Sequence, residues 1–215
     1  MKIISLNVGR PRLVLQGDRQ VSTGIFKSPV AGPVMLHTLN FDGDRQADLN
    51  AHGGVNKALY AYPSEHYPFW RQELGGMELT WGNFGENLTT EGLLETQACI
   101  GDQYRIGGAV VRVSQPRIPC YKLGIRIGRE DMPKRFLASG RSGIYFAVAE
   151  EGFVEAGDAI ELVKRDEHAI SVADVNRAYV HSRESSDLLR RIIDAEILPP
   201  WLQKDLEKRL ATVEA

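Results

Sequence analysis

Residues 104–114 read YRIGGAVVRVS, a stretch in which two strand-like segments flank a pair of glycines. Valine and isoleucine are enriched in β-strands, and a Gly-Gly linker of two residues suits a tight hairpin turn. We therefore predict an antiparallel hairpin at this point of the chain, with its second strand over residues 110–114.

The residues that follow this hairpin extend the same pattern. Residues 144–149 and 153–154 flank a Glu-Glu-Gly turn and predict a second strand pair, and residues 159–163 alternate apolar and polar side chains. Short strands with glycine-rich turns, and without regular helices between them, favour a barrel or a sandwich. We predict a mainly β domain over residues 1–165.

Helical patterns interrupt and then follow these strands. Ser64 can cap a helix that starts at Glu65, and residues 132–138 predict a short helix that ends at Gly140. Beyond residue 165 the pattern becomes helical, starting with a capping-box sequence at residues 171–174. Three short amphipathic helices cannot bury their apolar faces alone, so we predict a small three-helix domain over residues 168–215 that packs internally or on the β domain.

The totals exclude several classes of protein. The chain has 215 residues, 43% of them apolar, and a formal net charge of −2, which argues against a broad nucleic-acid footprint. The apolar run in residues 1–9 is too short for a signal peptide, and no stretch has membrane-spanning length. We expect a cytoplasmic protein without membrane or nucleic-acid partners, whose two cysteines are reduced thiols.

The segment after the predicted hairpin carries the most chemistry. Residues 114–123 read SQPRIPCYKL, and the two prolines restrict the backbone on both sides of Arg117, so the Cys120 thiol would have a reproducible position. Nearby Arg117 and Lys122 favour the thiolate, the form needed for soft-metal ligation or nucleophilic attack. The residues alone are equally compatible with Cys120 as a small buried side chain in a proline-shaped turn.

A second segment, residues 51–63, contains paired glycines. Gly53 and Gly54 can expose backbone N–H groups to an anion, and His52 and Lys57 beside them would complete a phosphate-binding or pterin-binding turn. The alternative is an ordinary turn with a surface histidine.

A third segment, residues 83–93, contains Asn87. An asparagine side chain both donates and accepts hydrogen bonds, which suits recognition of a pterin or base edge. The alternative is an Asn and Gly turn that leads into a strand.

In chain order, HGG at residues 52–54, GENL at residues 85–88 and PRIPCYKL at residues 116–123 resemble the motifs of MOSC domains. The similarity is greatest to the bacterial YiiM-like branch of that family, and it spans residues 1–165. The resemblance implies a closed MOSC-type β-barrel with a few short helices, followed by the small three-helix domain of that branch.

The resemblance also implies a molybdenum cofactor and roles for the motif residues. Cys120 would be the catalytic residue that ligates the metal beside the pterin dithiolene, and Arg117 and Lys122 would bind the cofactor phosphate. The opposite wall would be formed by His52, Gly53, Gly54 and Lys57, with Asn87 contacting the pterin.

The implied activity is the reductive detoxification of N-hydroxylated compounds, in particular N-hydroxylated purine bases such as 6-hydroxylaminopurine, with electrons from a flavoprotein. Two other functions stay open from the residues. Cys120 could carry a persulfide in sulfur transfer, or the chain could bind and carry the molybdenum cofactor without turnover.

Overall fold

The computed structural model describes residues 1–46, 53–182 and 185–214. The strands are β1 (Lys2–Val8), β2 (Arg12–Gln16), β3 (Arg19–Thr23), β4 (Ser28–Pro29), β5 (Val34–Leu36), β6 (Leu59–Pro63), β7 (Leu88–Glu91), β8 (Gln103–Ile106), β9 (Ala109–Pro116), β10 (Ile144–Glu150), β11 (Gly152–Val154) and β12 (Ile160–Lys164). The helices are α1 (Tyr67–Glu73), α2 (Tyr121–Ile127), α3 (Met132–Ala138), α4 (Val172–Val180), α5 (Ser186–Asp194) and α6 (Pro200–Glu214).

Eight strands form one sheet in the order β12-β8-β9-β10-β6-β7-β1-β4. Neighbours within it are antiparallel except β6 and β7, which are parallel. Parallel neighbours require a crossover connection, and the segment that contains α1 supplies it. Two separate two-stranded ribbons, β2-β3 and β5-β11, complete the strands of the described residues.

The ends of this sheet approach each other without a continuous ladder. Lys2 on β1 forms an isolated bridge with Ala159, and the Ile160 N–H donates to the Met1 carbonyl at 2.9 Å. The fold is therefore sheet-rich with six α-helices in the described part of the chain, and the closed barrel that the family resemblance implies is not confirmed.

The predicted hairpin at residues 104–114 is confirmed, since β8 and β9 pair antiparallel across Gly107, whose φ is 56°. The predicted pairing of residues 144–149 with residues 153–154 is wrong. Strand β10 pairs with β9 over residues 144–150 and with β6 over residues 144–146, and β11 pairs with β5 instead.

Two helices differ from expectation: α2 was not predicted, and α1 starts later than predicted. Residues Ser64–His66 form a single 3-10 turn in which Ser64 makes no capping bond, so α1 begins at Tyr67 rather than Glu65. Helix α3 covers the predicted residues 132–138. At α4 the capping box is confirmed, because the Ser171 hydroxyl accepts from the Asp174 N–H at 3.0 Å.

The three C-terminal helices share one apolar core with the sheet. Their buried side chains belong to the same cluster as those of β1, β9 and β10, and they include Val172, Val175, Leu189, Ile192, Leu202 and Leu206. The helical unit is thus packed on the sheet, and the division into residues 1–165 and 168–215 stays a prediction. Within the described residues, each helix is too short or too polar to span a membrane.

Candidate functional site

A cavity lies where β9 ends, and Cys120 forms part of its wall. Its lining comes from segments far apart in the sequence: residues 23–27, 44–46, 57–60, 85–87, 117–122 and Tyr145. Among the described residues of the lining, five are basic and one is acidic: Lys27, Arg45, Lys57, Arg117 and Lys122 against Asp44. A concave site with this excess of positive charge favours an anionic ligand.

Cys120 is held between two regular elements. It follows the end of β9 and immediately precedes α2, and its carbonyl accepts from the Leu123 N–H at 3.0 Å. Its side chain is partly exposed, whereas the other thiol, Cys99, is buried and does not line the cavity. Burial raises the pKa of Cys99, so Cys120 is the better placed of the two for ligation.

Arg117 links two of the sequence motifs. The residue is 7% exposed, and its guanidinium donates to the Phe84 carbonyl and lies over the ring of Tyr60, 4.8 Å from the ring centroid. Phe84 itself belongs to a buried aromatic cluster with Tyr62, Trp70 and Phe136. The packed aromatic rings around Arg117 therefore fix the orientation of its guanidinium relative to the cavity.

Lys27 and Asp44 form a buried ion pair in the cavity wall, and neither residue belongs to one of the three sequence motifs. Asp44 also accepts from the Gly9 N–H and from the Asn87 side-chain amide, each at 2.9 Å. Burial lowers the pKa of Lys27, and the charge and hydrogen bond of Asp44 partly offset that shift. The sequence signal for this pair is weak: a single lysine after an apolar pair at residues 25–26.

Asn87 lines the cavity, but protein groups engage each of its polar atoms. Its Oδ1 accepts from the Tyr60 N–H at 3.2 Å, and its Nδ2 donates to Asp44 and to the Asn7 carbonyl. These contacts hold Asp44 in place, which is a positioning role distinct from the direct pterin contact that the resemblance implies.

The paired glycines begin the turn that positions Lys57. Gly54 has a φ of 89° and accepts from the Lys57 N–H at 3.0 Å, which brings Lys57 to the cavity. Gly53 and Gly54 themselves are not among the lining residues. His52, also predicted for this wall, lies outside the described residues.

Glu86 is a buried carboxylate that organises the loop before β7. It accepts from Tyr67 Oη, from the N–H groups of Gly82 and Phe84, and from Thr89 Oγ1. Because these donors surround the carboxylate, Glu86 supports the wall that contains Gly85 and Asn87 rather than facing a ligand.

The donor set fits a molybdenum cofactor. Cys120 is a single soft ligand, which suits a metal that already carries the sulfur atoms of a dithiolene, and the basic residues suit its phosphate. In addition, Gln46 Oε1 is shielded from solvent and has no hydrogen-bond partner among the described residues. Gln46 also lines the cavity, so its buried acceptor lacks a partner at the place where a pterin would bring an N–H group.

Known proteins are similar to this chain over most of its length. The family model of the MOSC domain matches residues 48–161. The protein YflK of Bacillus subtilis (strain 168) is 43% identical over 215 residues, 99% of this chain and 97% of that protein. A protein of Gibberella moniliformis (strain M3125 / FGSC 7600) named a reductase is 35% identical over 190 residues, 87% of this chain but 34% of that longer protein.

Among solved structures, the crystal structure of YiiM from Geobacillus stearothermophilus superimposes with a TM-score of 0.80. It is 38% identical in sequence, and the match covers 97% of this chain and 98% of that one. The chain therefore belongs to the MOSC domain family and is a close homologue of the YiiM proteins.

Proposed function

We propose that the chain is a molybdenum-cofactor-dependent reductase of N-hydroxylated compounds, with N-hydroxylated purine bases such as 6-hydroxylaminopurine as its substrates. The observation that carries this proposal is the cavity in which the partly exposed Cys120 thiol meets five basic side chains. The name of the fungal relative supports a reductase, and the family supports the cofactor.

Different residues of the chain would bind different parts of the cofactor. Cys120 would ligate the metal, while Arg117 and Lys122 would bind the cofactor phosphate, Arg117 as a fork of N–H donors and Lys122 as a point charge. Lys57 would add a further cation, and Gln46 Oε1 would accept from the pterin.

When bound, the cofactor supplies two electrons for cleavage of the N–O bond, a step that consumes two protons and yields the amine and water. The walls of the cavity orient the N-hydroxyl group and restrict water. We expect a flavoprotein to provide the electrons, since the chain needs an external reductant for each turnover.

The test compares the wild-type protein with the Cys120→Ala variant after reconstitution with molybdenum cofactor. We expect near-stoichiometric molybdenum and pterin in the wild type, loss of molybdenum in the variant, and reduction of 6-hydroxylaminopurine by the loaded wild type with a chemical electron donor. Cys99→Ala is the matched control, because it removes the thiol that lies outside the cavity lining.

Three outcomes contradict parts of the proposal. Equal molybdenum in wild type and Cys120→Ala excludes Cys120 as the ligand. Molybdenum retention without turnover of 6-hydroxylaminopurine excludes this substrate and favours a cofactor carrier. A persulfide on Cys120 without bound molybdenum favours sulfur transfer.

A further inference from the structure

Trp201, on the last of the C-terminal helices, contacts residues at the candidate site. This residue lies in the first turn of α6 and remains 41% exposed, although α6 buries Leu202 and Leu206 in the shared core. Its position at the start of the helix places it against the sheet rather than inside the helical unit.

Trp201 makes two contacts that connect it to the cavity. Its indole N–H donates to Oε1 of the buried Gln115 at 3.1 Å, one residue before the end of β9. The face of its ring lies under the Lys57 ammonium, with Nζ 4.7 Å from the ring centroid. One side chain of α6 thus contacts the strand that leads to Cys120 and a cation that lines the cavity.

The backbone of Lys57 is already held from the sheet side. Gln46 Nε2 donates to the Lys57 carbonyl at 2.7 Å, and Ser114 Oγ donates to the neighbouring Asn56 carbonyl at 2.6 Å. A lysine side chain has four rotatable bonds beyond this anchored backbone, so the position of its charge depends on what its ammonium contacts. An indole face offers the strongest aromatic contact for such a cation.

We propose that Trp201 is a positioning residue of the site, whose indole holds the Lys57 ammonium at the cavity for an anionic oxygen of the bound ligand. The C-terminal helical unit is therefore part of the binding site and not only a cover for the sheet. The ligand part of this inference rests on the proposed function, whereas the restraint on Lys57 does not.

The first test needs no cofactor. Full-length protein is treated briefly with acetic anhydride, and acetylation of Lys57 is measured by mass spectrometry relative to that of Lys122. We expect Trp201→Leu to raise the relative labelling of Lys57 by about fivefold, because the cation–π contact is lost. Trp201→Phe keeps an aromatic face but loses the hydrogen bond to Gln115, and we expect labelling within about twofold of wild type.

The second test is a double-mutant cycle on molybdenum retention after dilution of the loaded protein. We expect Trp201→Leu to speed the loss of molybdenum by about fivefold in the wild-type background and to have no effect in the Lys57→Met background. Free energies of unfolding of all variants show whether any effect follows from general destabilisation.

The outcomes separate this inference from the proposed function. Unchanged Lys57 labelling in Trp201→Leu, or equal labelling in Trp201→Phe and Trp201→Leu, overturns the restraint by the ring. An equal effect of Trp201→Leu with and without Lys57 overturns its action through Lys57. If the wild type takes up no molybdenum, the proposed function fails, and the labelling result still decides whether Trp201 restrains Lys57.

Discussion

Lys27 and Asp44 meet as an ion pair in the cavity wall, where their side chains are only 9% and 3% exposed. The carboxylate has additional donors in Gly9 and Asn87, so its position is well defined. Removing one member of a buried pair leaves the other charge uncompensated, which costs more than removing both.

We therefore expect Lys27→Met to lower the free energy of unfolding by about 3–5 kcal/mol. Urea denaturation at pH 7 measures this loss. The double variant Lys27→Met with Asp44→Asn is the control, and it should be less destabilised than Lys27→Met because no buried charge remains. Equal stability of Lys27→Met and wild type would contradict the buried pair.

Lys27 should also make the free energy of unfolding depend on pH. Burial lowers the pKa of Lys27 from its ordinary value of 10.5, so the folded state loses this proton at a lower pH than the unfolded state. Between the two pKa values the unfolded state binds more protons, and stability from this group therefore rises with pH and is lost as pH falls. The difference in unfolding free energy between wild type and Lys27→Met should rise through the alkaline range below 10.5; a falling difference would refute the shift.

Glu86→Gln should destabilise the protein by about 3 kcal/mol. The side-chain NH₂ group of glutamine cannot accept hydrogen bonds, so it would face the N–H and O–H donors that now bind the carboxylate. Chemical denaturation measures the loss. Glu91→Gln is the matched control: Glu91 pairs with Lys2 at the surface, where such a pair contributes about 0–1 kcal/mol. Similar losses in both variants would show that Glu86 does not organise its loop.

Gly85→Ala should disturb the cavity wall. Gly85 has a φ of 77°, and an added Cβ would lie 2.7 Å from Ile25 Cγ1, while both residues line the cavity. Gly32→Ala is the control, since Gly32 has a φ of 76° and open space around the Cβ position. Backbone strain alone costs about 1–2 kcal/mol in each variant, so only Gly85→Ala should lose additional stability and retain less molybdenum. Equal effects would exclude the contact with Ile25.

Arg117→Lys tests whether the shape of the guanidinium, and not only its positive charge, is needed for retention of molybdenum. Lysine cannot reproduce the planar guanidinium that donates to Phe84 and lies over Tyr60, so we expect about tenfold weaker retention of molybdenum. The measurement is molybdenum content after dilution of the loaded protein. Lys122→Arg keeps the charge of a half-buried lysine and should retain molybdenum like wild type; an unchanged Arg117→Lys would mean that charge alone suffices.

Local patterns in the sequence predicted local structure well. The glycine pair before β9, the short helix over residues 132–138 and the Ser171 capping box each depend on a few neighbouring residues, and the structure has all three. The pairing of β11 with β5 could not be predicted in this way. It depends on the pairing of β10 with β9 and β6 and on the position of β5 beside β11, which are properties of the whole fold.

The same distinction between local and long-range contacts applies to the residues of the candidate site. Cys120, Arg117, Lys122, Lys57 and Asn87 stand in recognisable motifs, and all of them line the cavity. Lys27 and Asp44 have no neighbouring pattern that marks them, because each acquires its partner only through folding. Trp201 could not be assigned to the site from its helix pattern, since its two contacts lie more than 80 positions away in the chain.

Strand β10 joins the sheet segment β12-β8-β9 to the segment β6-β7-β1-β4, and its Tyr145 is part of the cavity wall. A nascent chain that has not yet released residues 144–150 therefore has Cys120 on one segment and Lys57 and Asn87 on another, without a common wall. Contacts between such distant segments form slowly because long loops must close first. A ligand of this cavity therefore meets a complete wall only after β10 has joined the two segments of the sheet.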